Sequence, residues 1–275
     1  MQADTRNQPG WEDFPEYNVE IVSPQAPCGA GWLGNCLLEL GISLWQPWDR
    51  PTNSLWERIE PYRYRFLDRS DRVSTWRQTL PALEAGRVFD FNPDLVLKIS
   101  HRRQRALPAH NKLIFFVRDP RDALYSEWRR QCANSKEDGS DFADFLAAPF
   151  HSQSYSNLQY LKVFLEDWQE TLSGTPHIIL RFEDYRLAPY DTLVRALAFF
   201  SLDCSDSQIH AALQASDFRV GKAIEAQRED AGVLKNRLYR AGIPMEYKKT
   251  FTPAMLKHFS PDFDPLFEWL GYERV

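Results

Sequence analysis

Short apolar runs alternating with segments of helical period set the rhythm of this chain. Val19–Ser23, Leu95–Ile99, Leu113–Val117 and Ile178–Phe182 are rich in β-branched and aromatic residues, bounded by polar or turn residues, and read as buried strands. Helical patterns follow at about 33–40 (ending before Gly41), 121–133, 155–172 and 190–200. Strand and helix taking turns predict an α/β fold of three layers, α/β/α, around a central, mostly parallel sheet. Two stretches break the rhythm. Residues 43–90 are polar, aromatic and turn-rich, and residues 215–252 are irregular and basic. Both read as loops that cover a substrate or cofactor. No repeat or linker divides the rest, so the expectation is a loose polar arm over 1–17 and a single α/β domain over 18–275.

Residues 113–126 read Leu-Ile-Phe-Phe-Val-Arg-Asp-Pro-Arg-Asp-Ala-Leu-Tyr-Ser. The apolar run stops at Arg118, Asp119 suits a helix cap, and Pro120 suits the first helical position. Ser126 falls about two turns into that helix. A guanidinium at the carboxyl end of a strand, beside a helix N-terminus, is a phosphate-binding arrangement. A capped strand–helix junction with a surface arginine is the plainer alternative.

Bulk numbers narrow the setting. The chain has 275 residues and a formal net charge of −5, which argues against nucleic acid as a partner, so any phosphate site is local. Cys28, Cys36, Cys132 and Cys204 lack metal-ligand spacing and are too few for a disulfide scaffold, which favours the cytoplasm. There is no apolar leader and no apolar run of membrane-spanning length.

The first strand leads into Ser23-Pro-Gln-Ala-Pro-Cys-Gly-Ala-Gly-Trp-Leu. Gly29 and Gly31 let backbone N–H groups close on an anion at a helix start. The turn lacks Gly-Lys-Ser/Thr, which counts against a P-loop kinase or other nucleoside triphosphatase. Cys28, beside the helix N-terminus, either carries a lowered pKa or packs. The second strand runs into Lys98-Ile-Ser-His101, and a histidine of pKa near 7 suits proton removal from an alcohol. Trp45, Trp48, Trp56, Tyr62, Tyr64, Phe66 and Trp76 crowd the first irregular stretch among Asp49, Glu57, Glu60, Asp68 and Asp71. Together they read as an acceptor lid, although each alone is as well explained by covering the sheet.

These motifs resemble those of the sulfotransferases that use 3′-phosphoadenosine 5′-phosphosulfate (PAPS). Arg118-Asp-Pro-Arg-Asp followed by Ser126 is similar to the family's 3′-phosphate motif, which implies that Arg118 and Ser126 hold that phosphate. The 23–33 turn resembles the 5′-phosphosulfate loop Tyr-Pro-Lys-Ser-Gly-Thr-Thr-Trp-Leu. The match implies cofactor contacts from Cys28, Gly29, Ala30, Gly31 and Trp32, and the family's Lys falls on Pro27, or on Gln25 when the alignment is anchored at Ser23-Pro24. Lys98 and His101 resemble the Lys-Thr-His segment with one residue inserted, which implies His101 as general base and Lys98 as a charge stabiliser. Arg181-Phe-Glu-Asp resembles the Tyr-Glu-Asp segment, which implies stacking by Phe182. Ser216-Asp-Phe218 resembles the Thr-Ser-Phe segment that lines the adenosine site. Arg240-Ala-Gly242, with Lys248 and Phe251, resembles the late Arg-Lys-Gly motif, which implies Arg240 and Gly242 at the 3′-phosphate. The family's dimer signature is not intact. The resemblance implies the P-loop-like sulfotransferase fold, PAPS as cosubstrate with adenosine 3′,5′-bisphosphate as product, no metal, and a small-molecule hydroxyl or amine as acceptor. A catalytically impaired PAPS-binding protein is the alternative.

Overall fold

The computed structural model describes residues 17–44, 56–67, 79–101, 112–134, 141–152, 154–232, 234 and 236–274. A five-stranded sheet forms its centre from β1 (Val19–Val22), β2 (Ser43–Leu44), β6 (Val96–Ser100), β7 (Lys112–Val117) and β8 (His177–Arg181). The order is β2-β6-β1-β7-β8, and every pairing is parallel. All four expected strands are present, shifted by about one residue at their ends. Parallel pairing brings the carboxyl ends of β1, β6, β7 and β8 to one edge. The chain leaves β1 for one side of the sheet and returns through β7 on the other, so that edge contains the reversal of strand order where open α/β sheets bind ligands.

Helices cover both faces. Val19, Ile21, Leu97, Ile114, Phe116 and Leu180 pack in one cluster with residues of α1 (Ala30–Glu39), α6 (Pro189–Phe200) and α7 (Asp206–Ala215). Val22, Leu113, Phe115 and Val117 pack in the other with α2 (Pro120–Asn134), α3 (Phe142–Ala147), α4 (Asn157–Leu172) and α11 (Asp264–Leu270). The period-2 alternation within β1 and β7 thus sorts side chains into two cores. Trp168 of α4 is wholly buried against Phe115 and Phe164, and its truncation to alanine costs about 3–5 kcal/mol on the usual scale.

The two irregular stretches are more ordered than their sequences imply. Within 43–90, β3 (Trp56–Glu60), β4 (Arg63–Phe66) and β5 (Val88–Asp90) form a small antiparallel sheet. Trp56, Tyr64 and Phe66 pack with Phe89 and Phe91 as its core, and Glu57 pairs with Arg65 at 2.6 Å. Trp45, Trp48, Asp49, Asp68, Asp71 and Trp76 lie outside the described residues. Within 215–252, α8 (Phe218–Asp230) and α9 (Tyr247–Thr250) flank a non-regular strap. The helical period of α8 is masked in sequence by its charged residues, most of which are exposed. Two short helices, α5 (Phe182–Leu187) and α10 (Pro253–Leu256), complete the described elements.

Candidate active site

Arg118 follows β7 directly and is 4% exposed. Its Nη1 donates to the Pro27 carbonyl at 3.4 Å, and its Nη2 donates to the Ile243 carbonyl at 3.0 Å. One guanidinium therefore ties the glycine turn after β1 to the strap before α9. The group stacks on Phe182, 4.3 Å from the ring centre, and lies 3.6 Å from Asp122. Its Nε is buried without a hydrogen-bond partner among the described residues. A charge of this kind keeps a low-dielectric position only with acceptors close by, and a further anion is a natural one.

Asp119 caps α2 as expected, accepting from the Arg121 N–H at 3.0 Å and pairing with the Arg121 side chain at 2.6 Å. Asp122, at the next turn, is fully buried and accepts the Tyr247 and Glu246 N–H groups at 2.7 and 3.0 Å. Burial pushes its carboxyl above the ordinary range, while Arg118 and these two N–H groups pull it down. Arg240 donates to Glu246 at 2.8 Å, and that ion pair is the main influence holding Glu246 below the usual carboxylate range. The Arg240 guanidinium lies 5.7 Å from the Tyr125 ring, one residue before the buried Ser126. Arg118, Ser126 and Arg240 are thus carried by neighbouring elements, with Asp122 pinning the strap to α2. Gly242 has φ +60°, and a Cβ there would stand 3.0 Å from the Phe218 ring, so glycine is required twice over.

The turn after β1 ends at Gly29, the N-cap of α1, with φ +88° and no side-chain cap. A Cβ at Gly29 would lie 2.9 Å from Tyr185 and 3.1 Å from Phe182. No capping side chain competes for the first N–H groups of α1, at Ala30 and Gly31, the position where helices hold anions. Cys28 is buried, and desolvation pushes its thiol up to about 12, so it packs as a neutral group rather than acting as a thiolate. Trp32 stacks on Tyr185 with ring centres 4.2 Å apart. The Ser216 hydroxyl accepts from Asn35 at 2.8 Å and so ties α1 to the end of α7.

His101 follows β6 at the same sheet edge. Its Nδ1 lies 3.0 Å from the Ser23 carbonyl and 3.1 Å from the Ser23 hydroxyl. A carbonyl only accepts, so this contact places the proton on Nδ1 and leaves Nε2 with a free lone pair. Desolvation by the surrounding protein lowers the imidazole pKa below its ordinary value, against a smaller opposing pull from the hydrogen bond to the Ser23 carbonyl. The neutral, base-competent ring is favoured. Lys98 is placed differently. It lies three residues before His101, about 10 Å back along the strand, in register with the buried Glu20 and with its Nζ 4.1 Å from the Tyr17 ring. The inserted residue between Lys98 and His101 reverses the alternation, so the two side chains leave the strand on opposite faces.

Several participants were missed in sequence. Asp122 was visible in the motif as the carboxylate four residues after Arg118, one turn on. Ser23 carries no local signal, because it matters only through His101, distant in sequence, and Glu246 follows its partner Arg240 in a stretch without regular period. Tyr185 was detectable only as the aromatic one turn after Phe182. Among the described residues, no group of three His, Cys, Asp or Glu side chains is placed to hold a metal ion.

A parallel sheet with an uncapped glycine turn, a buried arginine bridging two loops and a tautomer-fixed histidine on one edge defines an α/β group-transfer enzyme that handles phosphate esters. Residues 59–271 match the sulfotransferase domain family, and the chain belongs to it. Solved structures agree on the fold. A mouse sulfotransferase, SULT7A1, complexed with PAP superposes with TM-score 0.58 at 18% identity, over 94% of this chain and 88% of that one. Retinol dehydratase in complex with androsterone and the inactive cofactor PAP superposes with TM-score 0.57 at 17% identity, over 93% and 82% of the two chains. No curated protein matches by sequence. No described helix is long and apolar enough to cross a membrane.

Proposed function

We propose that this sulfotransferase moves the sulfuryl group of PAPS to a hydroxyl, or an amine, of a small-molecule acceptor and releases adenosine 3′,5′-bisphosphate. The observation that carries the reading is Arg118 bonded at once to the glycine turn and to the strap, with His101 on the same sheet edge. Arg118, Ser126 and Arg240 hold the 3′-phosphate, with the Gly242 backbone beside it. The amides of 29–32 receive the phosphosulfate, and Trp32, Phe182 and Phe218 flank the adenine. The acceptor proton passes to His101 Nε2 as the acceptor oxygen bonds to sulfur. The bond from sulfur to the bridging oxygen breaks, and its electron pair leaves with the 5′-phosphate. Fixed N–H groups and guanidinium charge stabilise that developing charge.

The complexes of the structural relatives with PAP, and with androsterone in one case, support a nucleotide cosubstrate and a small-molecule acceptor. The absence of disulfides among the four cysteines supports a cytoplasmic setting. A single domain over 18–275 fits the continuous sheet. The deciding experiment follows transfer from radiolabelled PAPS to a panel of alcohols, phenols and amines, alongside calorimetric binding of adenosine 3′,5′-bisphosphate. His101→Ala is expected to abolish transfer and leave binding intact. One observation favours a second reading, a PAPS-binding protein with little turnover: Pro27 stands where the family has a cation. Tight bisphosphate binding with no transfer to any acceptor would select that reading.

A further inference from the structure

A cavity of about 350 Å³ opens between α2, α8 and the strap, lined by Arg129, Arg130, Lys222, Arg237 and Arg240 among others. Arg129 and Arg130 stand three and four residues beyond Ser126 on α2, so the cavity begins one helical turn past the 3′-phosphate cluster and shares Arg240 with it. Its walls are held independently of any ligand. The Asn134 amide makes two bonds to the Arg237 backbone, at 3.0 and 3.2 Å. Glu225 accepts the Leu238 and Tyr239 N–H groups, and Gly221 admits the Tyr239 ring where a Cβ would stand 2.3 Å from its hydroxyl.

The charges do not balance. Five cationic side chains face two carboxylates, Glu225 and Glu229. Glu225 is committed to backbone N–H groups and Glu229 to Arg237. Arg130 pairs with Glu127 and Arg240 with Glu246, both carboxylates outside the lining. Arg129 and Lys222 remain, facing the cavity from opposite helices, and neither has a carboxylate partner among the described residues. In addition, the Nε of Arg240 is buried with no acceptor among the described residues. This surplus stands out in a chain of net charge −5.

We infer that the cavity is a second anion site, distinct from the 3′-phosphate cluster, which takes a small phosphate-bearing dianion between Arg129 and Lys222. Binding there does not require the proposed cofactor. Its effect on the cofactor does rest on that reading. An anion beside Arg240 competes for its guanidinium and repels a nearby 3′-phosphate, so each ligand weakens the other, and by the same factor.

The test titrates the free protein calorimetrically with inorganic pyrophosphate and with glycerol 2-phosphate, at constant ionic strength. The variants are Arg129→Ala with Lys222→Ala, both exposed and therefore tolerant sites. A control removes two exposed lysines elsewhere, Lys249→Ala with Lys257→Ala. At least a tenfold loss of anion affinity is expected in the first pair and none in the control. Tighter binding of one probe identifies an inorganic ligand or an organic phosphomonoester. Equal loss in both pairs, or no measurable binding by wild type, overturns the proposal. With adenosine 3′,5′-bisphosphate as second ligand, rising pyrophosphate lowers its affinity to a plateau. A decline without limit that persists in the Arg129/Lys222 pair means that pyrophosphate enters the 3′-phosphate site itself, and this too overturns it. If wild type binds no bisphosphate, the functional reading fails while the direct titration still decides the anion site.

Discussion

The Nδ1 atom of His101 and the Ser23 carbonyl oxygen lie 3.0 Å apart, across the join between β6 and β1. The contact is made by backbone oxygen, so it survives substitution of the serine side chain. His101→Ala is expected to lower kcat by at least about a hundredfold, the loss usual for a general base. Ser23→Ala, which keeps the carbonyl, costs only a few-fold. A comparable loss in both variants would mean that the hydroxyl, rather than the carbonyl, sets the ring.

The same histidine dictates a pH profile. Its pKa is lowered in the folded protein, with burial as the larger cause, so it loses its proton earlier than a free imidazole. Activity as kcat/KM rises through a midpoint below the ordinary histidine value and is flat above it until another group titrates. A midpoint above that value contradicts the assignment.

The Arg240–Glu246 pair links acid stability to the strap. Glu246 is held below its ordinary pKa, first by its hydrogen bond to Arg240, so its stabilising contribution is present above the unfolded carboxylate pKa. That contribution is lost as pH falls through the folded value. Wild type should lose more melting temperature than Glu246→Gln between neutral pH and pH 4, as read by thermal unfolding across that range.

Gly29 and Gly31 separate two demands made on the first turn. Gly29→Ala meets both a left-handed backbone and the Tyr185 ring, with a backbone cost alone of about 1–2 kcal/mol. Gly31→Ala meets only Thr79 at 3.2 Å and no positive φ. Chemical denaturation should rank the first well below the second in stability, and bisphosphate affinity should follow that order.

Pro27→Lys restores a cation to the glycine turn while keeping the backbone carbonyl that Arg118 uses. An added charge at the leaving oxygen acts in the transition state, so kcat is expected to rise about tenfold or more, with little change in bisphosphate affinity. Initial-rate kinetics with calorimetry resolve the two quantities. A gain in affinity alone would place the new ammonium at the wrong phosphate.

The parallel core was legible because buried strands announce themselves as unbroken apolar runs, as Leu113–Val117 does before Arg118. The junction at Asp119 and Pro120 was legible because capping is local chemistry. The small sheet of Trp56–Glu60, Arg63–Phe66 and Val88–Asp90 escaped notice because two of its strands carry charges on their exposed face, and its third pairs across more than twenty residues of intervening chain. Lys98 shows the limit of motif transfer: one inserted residue in a strand turns a side chain to the opposite face, and spacing outweighs residue identity. The bond from the Glu246 N–H to Asp122 joins residues more than a hundred apart in sequence, and no local pattern encodes that contact.

Arg118 gives hydrogens to two main-chain oxygens, at Pro27 and Ile243. An incoming phosphate therefore does not meet a bare cation. It must outbid neutral acceptors that are already seated, and only the difference between a full charge and a carbonyl dipole remains as gain. Such an exchange favours doubly ionised groups over singly ionised ones and makes uncharged mimics poor guests. Discrimination at this position then depends on the two carbonyls as much as on the guest.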